Sequence, residues 1–260
     1  MAKYVFTITT GRTGTAWLWK LISSNTDFIS VHEPLEIEDF GTQMPDIRTM
    51  RTFNERGMTP FVNEFWQRKF ETLHRYSAYA EMNHTLAKCG LLEFLSSNEL
   101  SHDVYILCIK RNWVDLCASF VNRYDFRNVT TYWQWYLDYR YSRNMVNPAP
   151  FINRDKYIGH ILWYIAEIEV RQEYYKQLYP ERFKFIDCTL EQIIRPEGAE
   201  EIMKSLDINI DTIKLPPRIN EYPASRNEQL ITYIQNWVNS IEFNPGEIAE
   251  RFIASGRSLM

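Results

Sequence analysis

The sequence predicts an α/β fold in three layers, in which helices flank a central, mainly parallel β-sheet. Short β-branched or apolar runs alternate with segments of helical spacing along the 260 residues, as in parallel sheets that are covered on both faces. The run over residues 104–109 is continuously apolar, which is typical of a central parallel strand. The length fits one domain of this class, so we expect a single domain over residues 1–260.

The first half of the chain is predicted to contain four strands and four helices. The strands are expected at residues 4–9, 28–31, 79–82 and 104–109. The helices are expected at residues 15–22, 61–76 and 86–95, and after the fourth strand as far as Tyr124. Residues 36–60 contain two glycines and two prolines and are predicted to form an irregular insertion.

The second half begins with an aromatic-rich region over residues 125–180, which is predicted to be mostly helical. A fifth strand is expected at residues 183–187, and helices at residues 199–206 and 228–240 and from about residue 190. Aromatic residues make up 15% of the chain, which favours an aromatic-lined pocket even though most single aromatic residues belong to the core.

Composition narrows the class of protein. A formal net charge of −4 argues against a nucleic-acid partner. The four cysteines form no CxxC pair, and no cluster has metal-ligand spacing, so we expect no metal site. The first residues of the sequence do not have the pattern of a basic region followed by an apolar stretch with a cleavage site, and no run approaches the ~20 apolar residues of a membrane span. We therefore expect a cytoplasmic protein with no membrane partner.

The loop between the first strand and the first helix has the composition of an anion-binding loop. Gly11 and Gly14 permit positive φ and a close approach of the backbone to a ligand. The helix that follows presents its positive N-terminal end at the same place. Thr13 and Thr15 add hydroxyl donors, and Arg12 adds a guanidinium group.

Two features argue against an ATP-dependent kinase, which remains an alternative function. The ATP-binding loop GxxxxGK[ST] contains a lysine, whereas this chain has Ala16 where a lysine could follow. The central strand ends on Lys110 and Arg111 rather than on an acid that could hold Mg²⁺.

The segment from Thr10 to Leu18 resembles the 5′-phosphosulfate loop of PAPS-dependent sulfotransferases, which runs [ST]-G-[RK]-[ST]-G-[ST]-x-x-L. PAPS is 3′-phosphoadenosine-5′-phosphosulfate, and PAP is the product that remains after sulfuryl transfer. The resemblance implies that the donor is held by Thr10, Gly11, Arg12, Thr13, Gly14, Thr15, Ala16 and Trp17. Trp17 is a candidate to stack on the adenine, although a Trp at that helical position is more often part of the core. Arg12 is expected to act in catalysis at the bridging oxygen.

A second resemblance to the same family follows the fourth strand. The family has a segment R-D-P-x-D-x-x-x-S there, whose Arg and Ser hold the 3′-phosphate, and this chain matches it at Arg111, Asp115 and Ser119. Asn112 and Trp113 replace the family's Asp and Pro, and Asn112 is a good helix N-cap. Ligands of open α/β sheets bind at the carboxyl ends of strands, where Arg111 is predicted to lie.

The resemblance also supplies two candidates for the base that accepts a proton from the acceptor. Glu33 follows the second strand and precedes Pro34, at the point where several sulfotransferase branches have their catalytic glutamate. His84 follows the third strand, a place comparable to the catalytic histidine of cytosolic small-molecule sulfotransferases. We favour Glu33 and keep His84 as the alternative. Sulfuryl transfer requires no metal, because the sulfuryl group carries less charge than a phosphoryl group.

The expected acceptor is a small molecule with a hydroxyl or amine group. A cationic molecule is favoured by acids that have aromatic neighbours, namely Glu36, Glu38, Asp39, Asp125 and Asp138. The resemblance does not extend to residues 125–180 or to the C-terminus. A non-catalytic PAP-binding or nucleotide-binding protein is the second alternative, and the oligomeric state stays open.

Overall fold

The computed structural model describes residues 3–98, 103–127, 134–217 and 227–260. Its strands are β1 (Lys3–Ile8), β2 (Ile29–Val31), β3 (Ala78–Glu81), β4 (Asp103–Lys110) and β5 (Lys184–Thr189). They form one parallel sheet in the order β2-β3-β1-β4-β5. The predicted fold class is confirmed, and each predicted strand is present to within two residues at either end.

Helices cover both faces of the sheet. The α-helices of the described residues are α1 (Thr15–Asn25), α2 (Ile47–Arg56), α3 (Pro60–Leu73), α4 (Leu91–Ser97), α5 (Trp113–Asn122), α6 (Ala149–Ile152), α7 (Lys156–Leu178), α8 (Leu190–Ile193), α9 (Pro196–Ser205), α10 (Glu228–Val238) and α11 (Pro245–Ala254). Short 3-10 helices cover Ile37–Asp39, Leu86–Cys89 and Asp125–Arg127. Helices α1 and α9 pack on one face against Val5 and Leu107. Helices α3, α4, α5 and α7 pack on the other face, which Phe6 and Ile106 line.

The prediction of an irregular insertion over residues 36–60 is wrong where helix α2 forms. The side chain of Asp46 caps this helix by accepting a hydrogen bond from the backbone N–H of Thr49 at 2.8 Å. Gly57 ends it with a φ of 74°, and Met50 is among the side chains that it buries. The prolines and glycines that indicated irregular structure therefore lie outside the helix or mark its end.

Helices α6 and α7 confirm part of the helical structure that was predicted for the aromatic-rich region over residues 125–180. Residues 134–148 form turns and irregular structure, so the helical prediction is wrong there. A buried carboxylate on α7 supplies the physical reason. Oε2 of Glu167 accepts hydrogen bonds from the backbone N–H groups of Met145 and Val146, at 3.0 and 2.9 Å. These groups are satisfied by a side chain instead of a helical carbonyl. Residues 128–133 of the same region lie outside the described residues.

Two other helices differ from prediction. Gly90, with a φ of 93°, divides the helix expected over residues 86–95 into a 3-10 helix and α4. Helix α11 was not predicted, although Asn244 followed by Pro245 is a helix-start signal, and the Asn244 side chain does cap the helix. Among the described helices, none has both the length and the apolar content that crossing a bilayer requires.

Candidate active site

The sheet topology places a crevice at the carboxyl ends of β1 and β4. These two strands pair in parallel from Lys3 opposite Asp103 to Ile8 opposite Cys108. The chain leaves β1 for helix α1 on one face and leaves β4 for helix α5 on the other. Such a divergence is the switch point where open α/β sheets bind ligands. Both predicted donor segments begin here.

The loop after β1 curls through three residues of positive φ. Gly11, Arg12 and Gly14 have φ values of 86°, 58° and 86°. Left-handed residues within a tight turn form a concave backbone surface that suits an anion. The hydroxyls of Thr9 and Thr13 lie 2.5 Å apart and fix the base of the loop. Arg12 is the strained member, since a non-glycine residue in this region costs about 1–2 kcal/mol.

The remaining residues of the predicted loop differ in what they present to the crevice. The backbone carbonyl of Thr10 accepts a hydrogen bond from the Tyr164 hydroxyl at 2.8 Å. Thr15 is the first residue of α1, and Ala16 is half-buried in the same turn. The side chain of Trp17 is only 6% exposed in the core beneath α1, which leaves little ring surface to stack on a base.

The second predicted segment contacts the loop directly. Nη1 of Arg111 donates to the carbonyl oxygen of Arg12 at 2.9 Å, and Nε of Arg12 donates to Oγ of Ser119 at 3.5 Å. The side chain of Asn112 caps α5 by accepting from the N–H of Val114 at 2.9 Å, which confirms its predicted N-cap role. Two segments about a hundred residues apart in the chain therefore form one site.

The electrostatics of this site suit an anionic ligand. The pKa of Arg12 is lowered chiefly by partial burial and further by the positive charges of Arg123 and Arg111, whereas Asp125 and Glu33 act in the opposite direction. Guanidinium groups gathered in a half-buried crevice repel one another until an anion enters between them. The residues present therefore fit a ligand with phosphate groups.

Glu33 and His84, the two alternative bases, form one hydrogen-bonded pair. Oε1 of Glu33 lies 2.6 Å from Nδ1 of His84, and the side chains are 13% and 6% exposed. Burial acts to raise the pKa of Glu33, but His84, together with His32 and Lys88, outweighs it and lowers that pKa to about 2. The pKa of His84 is lowered, because burial, with smaller contributions from the charges of Lys88 and His32, outweighs the opposing effect of the Glu33 carboxylate. At neutral pH the pair is therefore a carboxylate that accepts a hydrogen bond from a neutral imidazole.

A buried polar network fixes the chain around His84. Glu81, at the end of β3, is fully buried and pairs with the ammonium group of Lys69 at 2.7 Å. The side-chain amide of Asn83 donates a hydrogen bond to Glu81 at 2.9 Å, and the backbone carbonyl of Asn83 accepts one from the hydroxyl of Thr7 at 3.1 Å. These contacts join β1, β3 and α3 immediately before His84, so the histidine projects from a rigid support.

Lys88 and two aromatic residues also belong to the site, although sequence reasoning did not identify them. The fully buried ammonium group of Lys88 donates to the carbonyl of Trp135 and, at 2.7 Å, to the hydroxyl of Tyr164. Burial lowers the pKa of Lys88 to about 7, with smaller opposing effects from Cys89 and Glu33. The ring of Trp135 meets His84 edge to face at 5.7 Å. The available signal was a lysine inside an otherwise apolar segment.

The acids expected to recognise a cationic acceptor have local partners. Asp138 forms an ion pair with Arg140 at 2.5 Å, and Asp125 pairs with Arg123 at 3.3 Å. Asp39 accepts from the backbone N–H of a 3-10 helix cap at 3.0 Å. Glu36 and Glu38 are exposed. A cationic acceptor therefore stays a prediction, and no described contact adds support to it.

Comparison with known proteins adds one distant likeness. No protein-family model matches the sequence, and no curated protein matches it significantly. Among solved structures, the chain is similar to a sulfotransferase from Alicyclobacillus acidocaldarius, with 18% sequence identity and a TM-score of 0.46. The alignment covers 92% of this chain and 94% of that chain. A likeness this distant does not establish a shared activity.

Proposed function

We propose that this protein is a sulfotransferase that moves a sulfuryl group from PAPS to a hydroxyl or amine of a small molecule and releases PAP. The observation that carries the proposal is the contact of Arg12 with both Arg111 and Ser119. It unites two segments that separately resemble the 5′-phosphosulfate and 3′-phosphate parts of a donor site. A small acceptor and a cytoplasmic location stay predictions.

Arg12 and the start of α1 would neutralise the charge that develops on the oxygen between phosphorus and sulfur. A guanidinium group and a helix N-terminus both stabilise negative charge in a half-buried crevice. Arg111 and Ser119 would hold the 3′-phosphate, the group that distinguishes PAPS from ATP. The positive φ of Arg12 is consistent with a strained residue that is held in place for function.

His84 is the better base of the two candidates, with Glu33 as its anchor. A carboxyl group with a pKa of about 2 is a weak proton acceptor, whereas a neutral imidazole is well suited to neutral pH. Since the Glu33 carboxylate accepts a hydrogen bond from Nδ1–H of His84, Nε2 of His84 carries the lone pair. The sequence favoured Glu33, and the hydrogen bond explains why each residue alone looked suitable.

The transfer itself can be tested with PAPS labelled on sulfur and a panel of small hydroxyl and amine compounds. We expect the label to move to at least one compound as PAP accumulates. Binding of PAP without transfer to any acceptor would favour the non-catalytic alternative. Magnesium-dependent turnover of ATP without use of PAPS would favour the kinase alternative.

The pH dependence of kcat/KM should report the protonation of the His84 imidazole. The imidazole must be neutral to accept a proton, so activity should fall as the pH drops through the His84 pKa, which burial holds below the ordinary value for histidine. The Glu33 carboxylate raises that pKa, so Glu33→Gln should move the acid limb to lower pH. A limb that stays in place in pH–rate profiles of this variant would contradict the pairing.

Gly11 should be required both for its positive φ and because a side chain there would press on His84. A Cβ atom there would lie 3.1 Å from Cδ2 of His84, whereas a Cβ at Gly256, which also has positive φ, would have no atom within 4 Å. Each change to alanine should destabilise the fold by about 1–2 kcal/mol. Only Gly11→Ala should also weaken PAP binding, by about tenfold, in calorimetric titration. Equal PAP affinities for the two variants would contradict the close packing of His84 on the loop.

A further inference from the structure

His32 lies between the Glu33–His84 pair and Thr15, which is the last residue of the loop over residues 10–15, here called the donor loop. Its Nε2 is 3.2 Å from Oγ1 of Thr15 and 3.9 Å from Oε1 of Glu33. A single ring nitrogen therefore faces both parts of the site. Nothing in the proposed mechanism so far uses this residue.

The local backbone explains how two consecutive side chains reach the same place. In an extended strand, neighbouring side chains point to opposite faces. Glu33 has a φ of 40°, which breaks this alternation directly after His32. The ring of Trp19 lies 6.0 Å from His32, and its indole N–H donates to the carbonyl of Ser30 at 3.0 Å. Helix α1 and strand β2 thus hold the imidazole in position.

We propose that His32 is a positioning residue that couples occupancy of the donor loop to the Glu33–His84 pair. This inference rests on the proposed function, because it requires a phosphate group to contact the loop at Thr15. It adds a route by which donor binding prepares the base for the acceptor.

The Thr15 hydroxyl can donate only one hydrogen bond at a time. The hydroxyl has one proton, and a phosphate oxygen of the ligand can only accept. Once the hydroxyl donates its hydrogen bond to the ligand, the contact between Thr15 and His32 must use a proton on Nε2 of His32. Without a ligand, the hydroxyl can instead donate to Nε2. Binding of PAPS or PAP therefore selects the form of His32 that carries a proton on Nε2.

The selected form acts on Glu33. An N–H group on Nε2 of His32 lies beside the Glu33 carboxylate, which already accepts a hydrogen bond from Nδ1–H of His84. The partial positive charge of this N–H group stabilises the ionised Glu33 carboxylate. It also stabilises the orientation in which the carboxylate holds His84. The base is then best aligned when the loop is occupied.

Nitrogen NMR of the histidine side chains tests the proposal directly. The chain has five histidines, so the resonance of His32 can be assigned from the spectrum of His32→Gln. On titration with PAP, Nε2 of His32 should take the chemical shift of a protonated ring nitrogen. An unchanged His32 spectrum in a protein that binds PAP would overturn this inference and leave the proposed function intact. Failure of PAP to bind would overturn both.

Two variants separate positioning from packing. His32→Ala should weaken PAP binding about fivefold to tenfold, because the Thr15 hydroxyl loses its fixed partner. His32→Gln should restore the affinity to within about twofold, since its amide N–H can replace that of Nε2. The exposed His74 serves as a control, and His74→Ala should bind PAP like the unaltered protein. Equal losses in His32→Ala and His32→Gln would overturn the proposal.

Discussion

His84→Gln should lower kcat for sulfuryl transfer at least ~100-fold while PAP affinity changes by less than about threefold. Glutamine preserves most of the volume and can still donate to Glu33, but it cannot take a proton from the acceptor. The measurement is steady-state turnover with saturating PAPS, combined with PAP calorimetry. His74→Gln is the matched control, because that histidine is exposed at the end of α3.

The same assay distinguishes the base from its anchor. Glu33→Gln should lower kcat by about 10- to 100-fold, since His84 keeps its ring but loses the carboxylate that orients it. A larger loss in Glu33→Gln than in His84→Gln would reverse the roles that we assign to the pair. Near-normal turnover in both variants would remove the pair from the mechanism.

Arg111→Ala should weaken PAP binding about 100-fold and change the affinity for AMP by less than about fivefold. The guanidinium group lies at the carboxyl end of β4, and its Nη1 already contacts the loop at Arg12. Loss of a charge-assisted contact to the 3′-phosphate should affect only the nucleotide that has this group. Calorimetric titration with each nucleotide measures the ratio of the two affinities.

Lys110→Ala provides a control that removes the same charge from the neighbouring position. The ammonium group of Lys110 pairs with Glu173 of helix α7 at 3.4 Å. This variant should bind PAP within about twofold of the unaltered protein. If Arg111→Ala weakens the binding of PAP and of AMP to the same extent, Arg111 supports the fold of the loop instead of recognising the 3′-phosphate.

The sequence was most informative where a function depends on local spacing. The strand, the glycine turn and the helix around Gly11 are continuous in the chain, and so is the step from Arg111 to Ser119. Each segment could therefore be recognised by itself. That the two segments meet at Arg12 follows from the pairing of β1 with β4, which alternation of strands and helices alone does not reveal.

The Glu33–His84 contact required the order of the strands. These residues are 51 positions apart, and they meet because β2 and β3 are neighbours, with Val31 opposite Glu81. Parallel neighbours bring the residues that follow each strand to the same edge. Without that order, the two residues could be considered only as competing bases, and Lys88 had no visible role.

Thermal unfolding with PAP, AMP and ATP at equal concentration tests the central claim most directly, because a ligand that binds the folded state raises the unfolding temperature in proportion to its affinity on a logarithmic scale. If Arg12, Arg111 and Ser119 form a PAPS site, PAP should stabilise the protein far more than AMP or ATP, and Arg111→Ala should remove most of the difference. Equal stabilisation by the three nucleotides, or none by PAP, would contradict the assignment of a 3′-phosphate site.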